Sequence, residues 1–456
     1  MKKNIFNIIA VGFLLAVTGC TKDLDTKPTS SIDSKDALKT SSDVLGALKG
    51  SYSALGSSSF YGGDIFVESE LLANDGDINW SGTFQDLTLI YDKSMTNNNG
   101  FATSNWISGY YVINSVNVVL DSINIVDEAL RTQAEGEAKF IRGCAYFDLV
   151  KVFAKAWNDG DATQNPGVPI VLKSTDPTLE LPESAKVKRN TVSEVYTQVI
   201  SDLTAAESDL PGYNGFYANQ AAAAGMLARV YLQKGDYANA ANAANRAINY
   251  ALDNGFHLAT HYADAFPFID PPAAVPNTPE DIFAMQVNST SGTNDFQTFY
   301  SAYSRGDIQI NDQHLFLYED GDDRFNMFYL SGGSVYTGKF DNLYGNVHTM
   351  RLAELYLIRA EANFRQGTNV GARPVTDVNT IRARVALPPF TSGTLTLDAI
   401  LHERKVELAF EGFALSDLKR LEQNISGFAW NSPKLIFPIP IREMRVNTNL
   451  TQNEGY

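Results

Sequence analysis

The sequence predicts a mainly α-helical fold, a solenoid of about four helical hairpins that is interrupted by a loop-rich insertion with short strands. Apolar residues recur at helical spacing in three blocks, at about 106–153, 192–250 and 350–425. Between the last two blocks, residues 254–345 are rich in Pro, Gly, Asp and aromatic residues and lose this spacing. A stretch of this length without a helical pattern is typical of a functional insertion.

Residues 218–250 contain the clearest hairpin. The first helix extends to Lys234, and Gly235-Asp236 form the turn. Small side chains, which allow two helices to approach closely, fall on one face of the second helix at Ala240, Ala244 and Ala247. This spacing follows the tetratricopeptide (TPR) consensus. Because one hairpin cannot bury its own apolar face, further TPR-like units must stack against it.

The remaining predicted elements follow in chain order. A first helix covers 35–53, and a loop region extends over about 56–105. Four helical pairs come next, 106–123 with 126–153, 192–210 with 218–234, 350–366 with 375–384, and 397–412 with 414–425. Thr191 and Glu194 have the spacing of a capping box at the start of the second pair. Short strands are expected at about 282–287 and 335–340.

The N-terminus predicts export followed by lipid anchoring. Lys2 and Lys3 precede an apolar run at 5–17, which is too short to cross a membrane comfortably. The run ends in Val17-Thr18-Gly19-Cys20, the pattern of bacterial lipoprotein processing. The alternative is an ordinary signal peptide with an incidental cysteine. In the lipoprotein interpretation Cys20 carries acyl chains, which hold the mature protein at a membrane that it does not span.

These signals together predict three parts of the chain. Residues 1–19 are a lipoprotein signal peptide, and residues 20–35 are a lipidated, flexible tether. Residues 36–456 form a single domain, which contains the N-terminal loop region, the helical blocks and the insertion.

The composition argues against one class of partner, and the motifs offer no clear catalytic site. The formal charge of −16 argues against binding of nucleic acid, which needs faces rich in Lys and Arg. His257 and His261 are four residues apart but lack the Glu of a zinc protease motif. We therefore expect no enzyme activity and no cofactor. A glycosidase would need two carboxylates converging in one pocket, and the sequence leaves that alternative open.

Two acidic patterns have structural explanations that we prefer to functional ones. Residues 320–324 (DGDDR) suggest calcium, but they lack the full loop pattern and its distal Glu, so a charged turn is expected. Glu403, Glu407 and Glu411 are spaced to share one helix face, where like charges repel unless they are paired. Arginines of neighbouring hairpins are the expected partners, namely Arg351, Arg359, Arg382 or Arg384.

Two loop regions offer the mixture of side chains that binds sugars. An aromatic ring stacks on the apolar face of a sugar, while amides, carboxylates and guanidinium groups bind its hydroxyls. The candidates in the N-terminal loop are Asp75, Asp77, Asn79 and Trp80. The candidates in the insertion are Tyr300, Tyr303, Arg305 and Tyr329, with Tyr336 close by. Trp80 is the foremost candidate for stacking, and its alternative role is to anchor the loop.

Several motifs together resemble the SusD/RagB family of nutrient-binding outer-membrane lipoproteins. They are the lipoprotein signal with Asp23-Leu24-Asp25, GEAKFIRGCAYFDLVKVFA (136–154), MRLAELYLIRAEA (350–362), ILHERKVELAFEG (400–412) and the C-terminal run around Phe437-Pro438-Ile439-Pro440. Their order and spacing carry the resemblance along the chain from Cys20 to Tyr456. One departure is FEGFALSDLKRL (410–421), where the family usually has Arg or His at the position of Ala414.

The resemblance implies a single helical domain of four TPR units that binds a nutrient, most often an oligosaccharide, without catalysis. It implies that the protein pairs with a TonB-dependent (SusC-like) transporter of the outer membrane and delivers the nutrient to it. Ligands in the family are commonly held between the N-terminal loop region and the insertion. Two alternatives remain, a peptide-binding member of the same family and a TPR scaffold that binds protein partners alone.

Overall fold

The structure is a computed structural model that describes residues 38–175 and 186–456. The predicted signal peptide, the predicted lipidation site at Cys20 and the predicted tether at 20–35 lie outside the described residues.

Fifteen α-helices and six short strands are present in the described part of the chain. The helices are α1 (Ser41–Leu55), α2 (Asp64–Ala73), α3 (Gln85–Tyr91), α4 (Gly100–Asp121), α5 (Glu128–Phe153), α6 (Val192–Asp209), α7 (Gln220–Gln233), α8 (Tyr237–Asp253), α9 (Asp295–Tyr300), α10 (Asp312–Leu315), α11 (Leu352–Gln366), α12 (Pro374–Ala383), α13 (Leu397–Glu407), α14 (Ala414–Arg420) and α15 (Ile441–Val446). The strands are β1 (Ile78–Trp80), β2 (Asp281–Met285), β3 (Ile308–Ile310), β4 (Phe328–Ser331), β5 (Ser334–Thr337) and β6 (Val347–Arg351).

The long helices form one continuous stack, which confirms the predicted solenoid of hairpins. Successive contacts join α1, α4, α5, α6, α7, α8 and α11, and α12 and α13 pack on α11. The hairpin of α7 and α8 turns at Gly235, whose φ of 70° suits glycine. Ala240, Ala244 and Ala247 of α8 are fully buried, so the two helix backbones lie close together. The predicted capping box also forms, because Thr191 and Glu194 each accept a backbone N–H of the other residue.

Two predicted elements differ from the structure. The region 56–105 was expected to be loop, but it contains α2, all of whose residues are buried, including Glu68 and Glu70. A helix that is buried on every side has no amphipathic stripe, so its periodicity gives no signal. The last predicted pair is also different, because α13 ends at Glu407 and α14 packs mainly on α2.

The insertion contributes most of two small antiparallel sheets. The larger sheet has the order β1-β3-β5-β4, so a strand of the N-terminal region joins three strands of the insertion. The smaller sheet pairs β2 with β6. Both predicted strand regions contain strands, although the second continues as a turn of 3₁₀ helix from Gly338. The larger sheet therefore brings together the two regions that the sequence marked for ligand binding.

A buried ion network joins the insertion to the helical stack. Arg351, at the end of β6, pairs with Glu280 at 2.7 Å, with Glu407 at 3.1 Å and with Glu411 at 2.6 Å. Opposite charges compensate the cost of removing these groups from water. The expected arginine partners of the three glutamates are thus confirmed for Arg351, as they are for Arg382 with Glu403 and Arg384 with Glu407.

The fourth expected arginine, Arg359, does not pair with any of the three glutamates. A further arginine, Arg324, joins the network although the sequence did not indicate it. Arg359 pairs with Asp377 at 2.7 Å, one helix away from the glutamates. Arg324, from the acidic turn at 320–324, pairs with Glu403 at 2.6 Å.

Within the described ranges, no helix is both long and apolar enough to span a bilayer.

Candidate functional site

One face of the larger sheet is open to solvent and carries polar and aromatic side chains. Strand register places Asn79 opposite Gln309, and Tyr329 opposite Tyr336. Side chains alternate between the two faces of a strand, and Ile310 pairs with Val335. Gln309 and Tyr336, each one residue from that pair, therefore share the opposite face. We call this surface the sheet face, defined by Asn79, Gln309, Tyr329 and Tyr336.

A row of aromatic rings extends the sheet face. Tyr336 lies 6.0 Å from Tyr329, Tyr329 lies 6.2 Å from Tyr303, and Tyr303 stacks on Phe268 at 5.5 Å, all between ring centroids. The interplanar angles are between 23° and 31°, so the rings are inclined alike. Tyr303 is 68% exposed and Phe268 is 51% exposed. Neighbouring rings that remain open to water form a surface on which the apolar face of a sugar can stack.

Hydrogen bonds hold the row in place from below. Asp341 accepts hydrogen bonds from the Tyr329 hydroxyl at 2.9 Å and from the Ser301 hydroxyl at 2.6 Å. The Tyr329 oxygen in turn accepts the backbone N–H of Ala302 at 3.2 Å. Burial raises the pKa of Asp341, and the two hydroxyl donors oppose this shift. The position of Tyr329 is thus fixed by its hydroxyl, which leaves its ring free to face a ligand.

Polar groups beside the rings are available for sugar hydroxyls. The Asn79 side-chain amide donates to Gln309 Oε1 at 3.1 Å, and Gln309 donates to the Ser81 hydroxyl at 3.2 Å. Arg305 pairs with Asp307 at 2.7 Å and lies 4.5 Å from the ring centroid of Phe84. Of the residues predicted for the site, the structure therefore brings Asn79, Tyr303, Arg305 and Tyr329 to this surface or its edge.

Two predicted aromatic residues do not reach the surface. Trp80 is 9% exposed, and its indole N–H donates to the Thr88 hydroxyl at 2.9 Å. Its ring packs on Phe299 and against Gly82, where a side chain would have no room. Trp80 therefore anchors the loop, and stacking on a sugar is not its role in this structure. Tyr300 is fully buried and cannot contact a ligand.

The remaining predicted residues, Asp75 and Asp77, have side-chain partners outside the sheet face. Asp75 accepts the backbone N–H of Ser426 at 2.6 Å. Asp77 pairs with Lys405 at 2.8 Å and lies 3.6 Å from His314. Burial opposes ionisation of Asp77, but these two partners outweigh it and lower its pKa to about 2. Asp75 and Asp77 therefore connect the N-terminal region to the C-terminal segments, beside a separate cavity.

Sequence reasoning missed Phe268 and Gln309. Phe268 lies beside the proline-rich run 271–279, where no periodic signal marks an exposed ring. Gln309 sits in a strand of three residues, too short to show alternation. Its role follows from pairing with Asn79, which is 230 residues away in sequence.

The acidic turn at 320–324 is held by an ion pair. Both carboxylate oxygens of Asp322 accept from the Arg324 guanidinium, at 2.7–3.1 Å. Over 38–175 and 186–456, no group of three or more His, Cys, Asp or Glu residues is arranged to hold a metal ion. The absence of a cofactor, with structural calcium as its alternative, stays a prediction.

Comparison with known proteins shows that the chain is similar to SusD-like proteins. A family described as "Starch-binding associating with outer membrane" matches residues 24–232, and the SusD family matches residues 319–434. A SusD-like protein of Formosa agariphila is 25% identical over the full length of both chains. The starch-binding protein SusD of Bacteroides thetaiotaomicron is 33% identical over 124 residues, which cover 24% of this chain and 22% of that protein.

Solved structures agree with these sequence matches. A candidate sugar-binding protein of Bacteroides vulgatus superposes with a TM-score of 0.82 at 28% identity, covering 92% of this chain and 99% of that chain. A SusD superfamily protein of Bacteroides thetaiotaomicron superposes with a TM-score of 0.79 at 24% identity, covering 91% and 99%. The second similarity concerns the fold alone.

Proposed function

The chain belongs to the SusD/RagB family, and on that premise we propose that it captures a glycan on the sheet face for import across the outer membrane. The observation that carries the proposal is the row of four rings, in which Phe268 and Tyr303 are exposed and Tyr329 and Tyr336 are half-buried. Family membership and the sugar-binding names of the relatives support a saccharide as the ligand.

The geometry suits an extended saccharide better than a single sugar. Three consecutive ring-to-ring steps of 5.5–6.2 Å give a surface along which successive residues of a chain can stack. The amides of Asn79 and Gln309 offer donors and acceptors to the hydroxyls at one end. Binding of this kind needs no chemical step, and the proposal includes none.

The proposal also covers location and partner. The lipid anchor at Cys20 would hold the protein at the outer membrane, facing the exterior, with the tether giving the domain reach. A TonB-dependent, SusC-like transporter is the proposed recipient of the glycan. Support for both comes from the sequence pattern at residues 17–20 and from the family.

Affinity electrophoresis of the mature protein in gels that contain different polysaccharides tests the proposal. Tyr303→Ala removes the most exposed ring of the row and should weaken binding by at least about fivefold, since a stacked aromatic contributes about 1 kcal/mol or more. Tyr111→Ala is the matched control, because Tyr111 is 64% exposed but lies on α4, away from the sheet face.

The same assay separates the alternatives. Equal retardation of both variants on a retained polysaccharide would place the site elsewhere. If no polysaccharide retards the protein but peptides bind in a titration, the ligand class is peptide. If neither class binds, the protein is better explained as a TPR scaffold for protein partners.

A further inference from the structure

A cavity lies between α13, α14 and the end of α2, beside Asp77. Its volume is about 340 Å³, within the range of small-molecule sites. Its walls are mainly apolar, formed among others by Leu401, Leu408, Phe413, Leu418 and Leu421. None of the residues that define the sheet face or its aromatic row lines this cavity.

A buried carboxyl group, that of Glu70, lines the cavity without a charged partner. Glu70 is 6% exposed. Its Oε1 accepts the backbone N–H groups of Gly412 at 2.7 Å and Ala414 at 3.3 Å. Its Oε2 has no hydrogen-bond partner, and no Lys, Arg or His forms an ion pair with it, in the part of the chain that the structure describes. Burying a carboxylate without a cation costs free energy, so this arrangement favours a positively charged ligand.

Most other charged groups at the cavity take part in ion pairs, although the two terminal nitrogens of Arg404 have no hydrogen-bond partner among the described residues. Asp77 pairs with Lys405 at 2.8 Å. Asp417 pairs with Arg404 at 2.8 Å and with Arg420 at 2.7 Å. The excess charge at the cavity is therefore negative, contributed by Glu70 and by Asp398, which is exposed at its rim.

Ala414 lies next to the Glu70 carboxyl group. Its backbone N–H contacts Glu70 directly, so a basic side chain at this position would begin beside the carboxyl group. The methyl group of Ala414 instead leaves open space in the cavity.

We propose that this cavity binds a primary ammonium group carried on an unbranched apolar chain, as found in a free alkylamine or in the lysine side chain of a peptide. The ammonium group donates to Glu70 Oε2, and the methylene groups lie against the leucines of the wall. Charge-assisted hydrogen bonds of this kind are stronger than neutral ones. The site is independent of the sheet face, so its ligand does not compete with a glycan.

Calorimetric titration of the mature protein with n-pentylammonium and with 1-pentanol tests the proposal at about pH 8, where the amine is charged and Glu70 ionised. The two probes share an apolar chain and differ in charge. The wild type should bind n-pentylammonium at least about tenfold more tightly than 1-pentanol. Glu70→Gln keeps both backbone contacts and should abolish this preference, whereas Tyr303→Ala should retain it.

Ala414→Arg adds an independent arm. Its guanidinium should occupy the cavity and prevent binding of both probes. Nα-acetyl-lysine N-methylamide distinguishes a peptide lysine from a free alkylamine as the source of the ammonium group. Tighter binding than that of n-pentylammonium assigns the site to a peptide side chain, and weaker binding assigns it to a free amine. Equal affinity for n-pentylammonium and 1-pentanol, or a preference that survives in Glu70→Gln, would overturn the proposal.

Discussion

Substitution of Glu70 by Gln should change the pH dependence of stability. Burial raises the pKa of Glu70 from 4.5 to about 7, against the backbone N–H groups of Ala414 and Gly412, which lower it. A carboxyl group with a raised pKa in the folded state stabilises the fold below its unfolded pKa. That contribution is lost as the pH rises through the folded pKa. The wild type should therefore lose stability between about pH 4.5 and pH 7 from this one group.

The size of the effect follows from the two pKa values. A difference of about 2.5 between folded and unfolded states corresponds to about 3 kcal/mol. Glutamine is uncharged and can accept the same two N–H groups. The free energy of unfolding of Glu70→Gln, relative to the wild type, should thus rise by about 3 kcal/mol from pH 4.5 to pH 8.

Urea unfolding of the wild type and of Glu70→Gln at several pH values measures this difference in free energy. Titrating groups that the two proteins share contribute equally to both and cancel in the difference. Ala414→Arg offers a second check, because a cation beside Glu70 lowers its pKa and should flatten the same dependence. A difference between Glu70→Gln and wild type that stays constant from pH 4.5 to pH 8 would refute the reasoning.

Three further substitutions test the fold and the assignment of the site. Arg351→Met leaves three buried carboxylates without their shared cation, so calorimetry should show that the free energy of unfolding falls by about 3–5 kcal/mol. An unchanged melting temperature would contradict the role of the network. Ala244→Trp overfills the seam between stacked helices and should prevent folding, whereas Ala238→Trp on the exposed side of the same helix should give soluble protein with native circular dichroism. Trp80→Phe loses the hydrogen bond to Thr88 and should cost about 1 kcal/mol in urea unfolding while glycan affinity stays at the wild-type value.

The helical stack was accessible from sequence because its signals are local. Periodic apolar residues, the turn at Gly235 and the cap at Thr191 each act over a few positions. The ion network was partly accessible for the same reason, since like charges spaced on one helix require partners. Arg324 was missed, because its turn meets Glu403 through the fold and not through neighbouring sequence.

The sheet face was less accessible because it depends on distant pairing. Asn79 and Gln309 meet across two strands of three residues each, and such strands carry almost no periodic signal. Composition selected both Trp80 and Tyr303 as aromatic loop residues and ranked Trp80 first. Their different roles follow from packing, since Phe299 and Gly82 cover Trp80, while Tyr303 extends beyond the sheet.

A crystal structure of the mature protein with the oligosaccharide that binds it best tests the central claim most directly. We expect sugar rings on Tyr303 and Phe268, with hydroxyls hydrogen-bonded to Asn79 or Gln309. Difference density for the oligosaccharide elsewhere on the protein, with Tyr303 uncovered, would contradict the account.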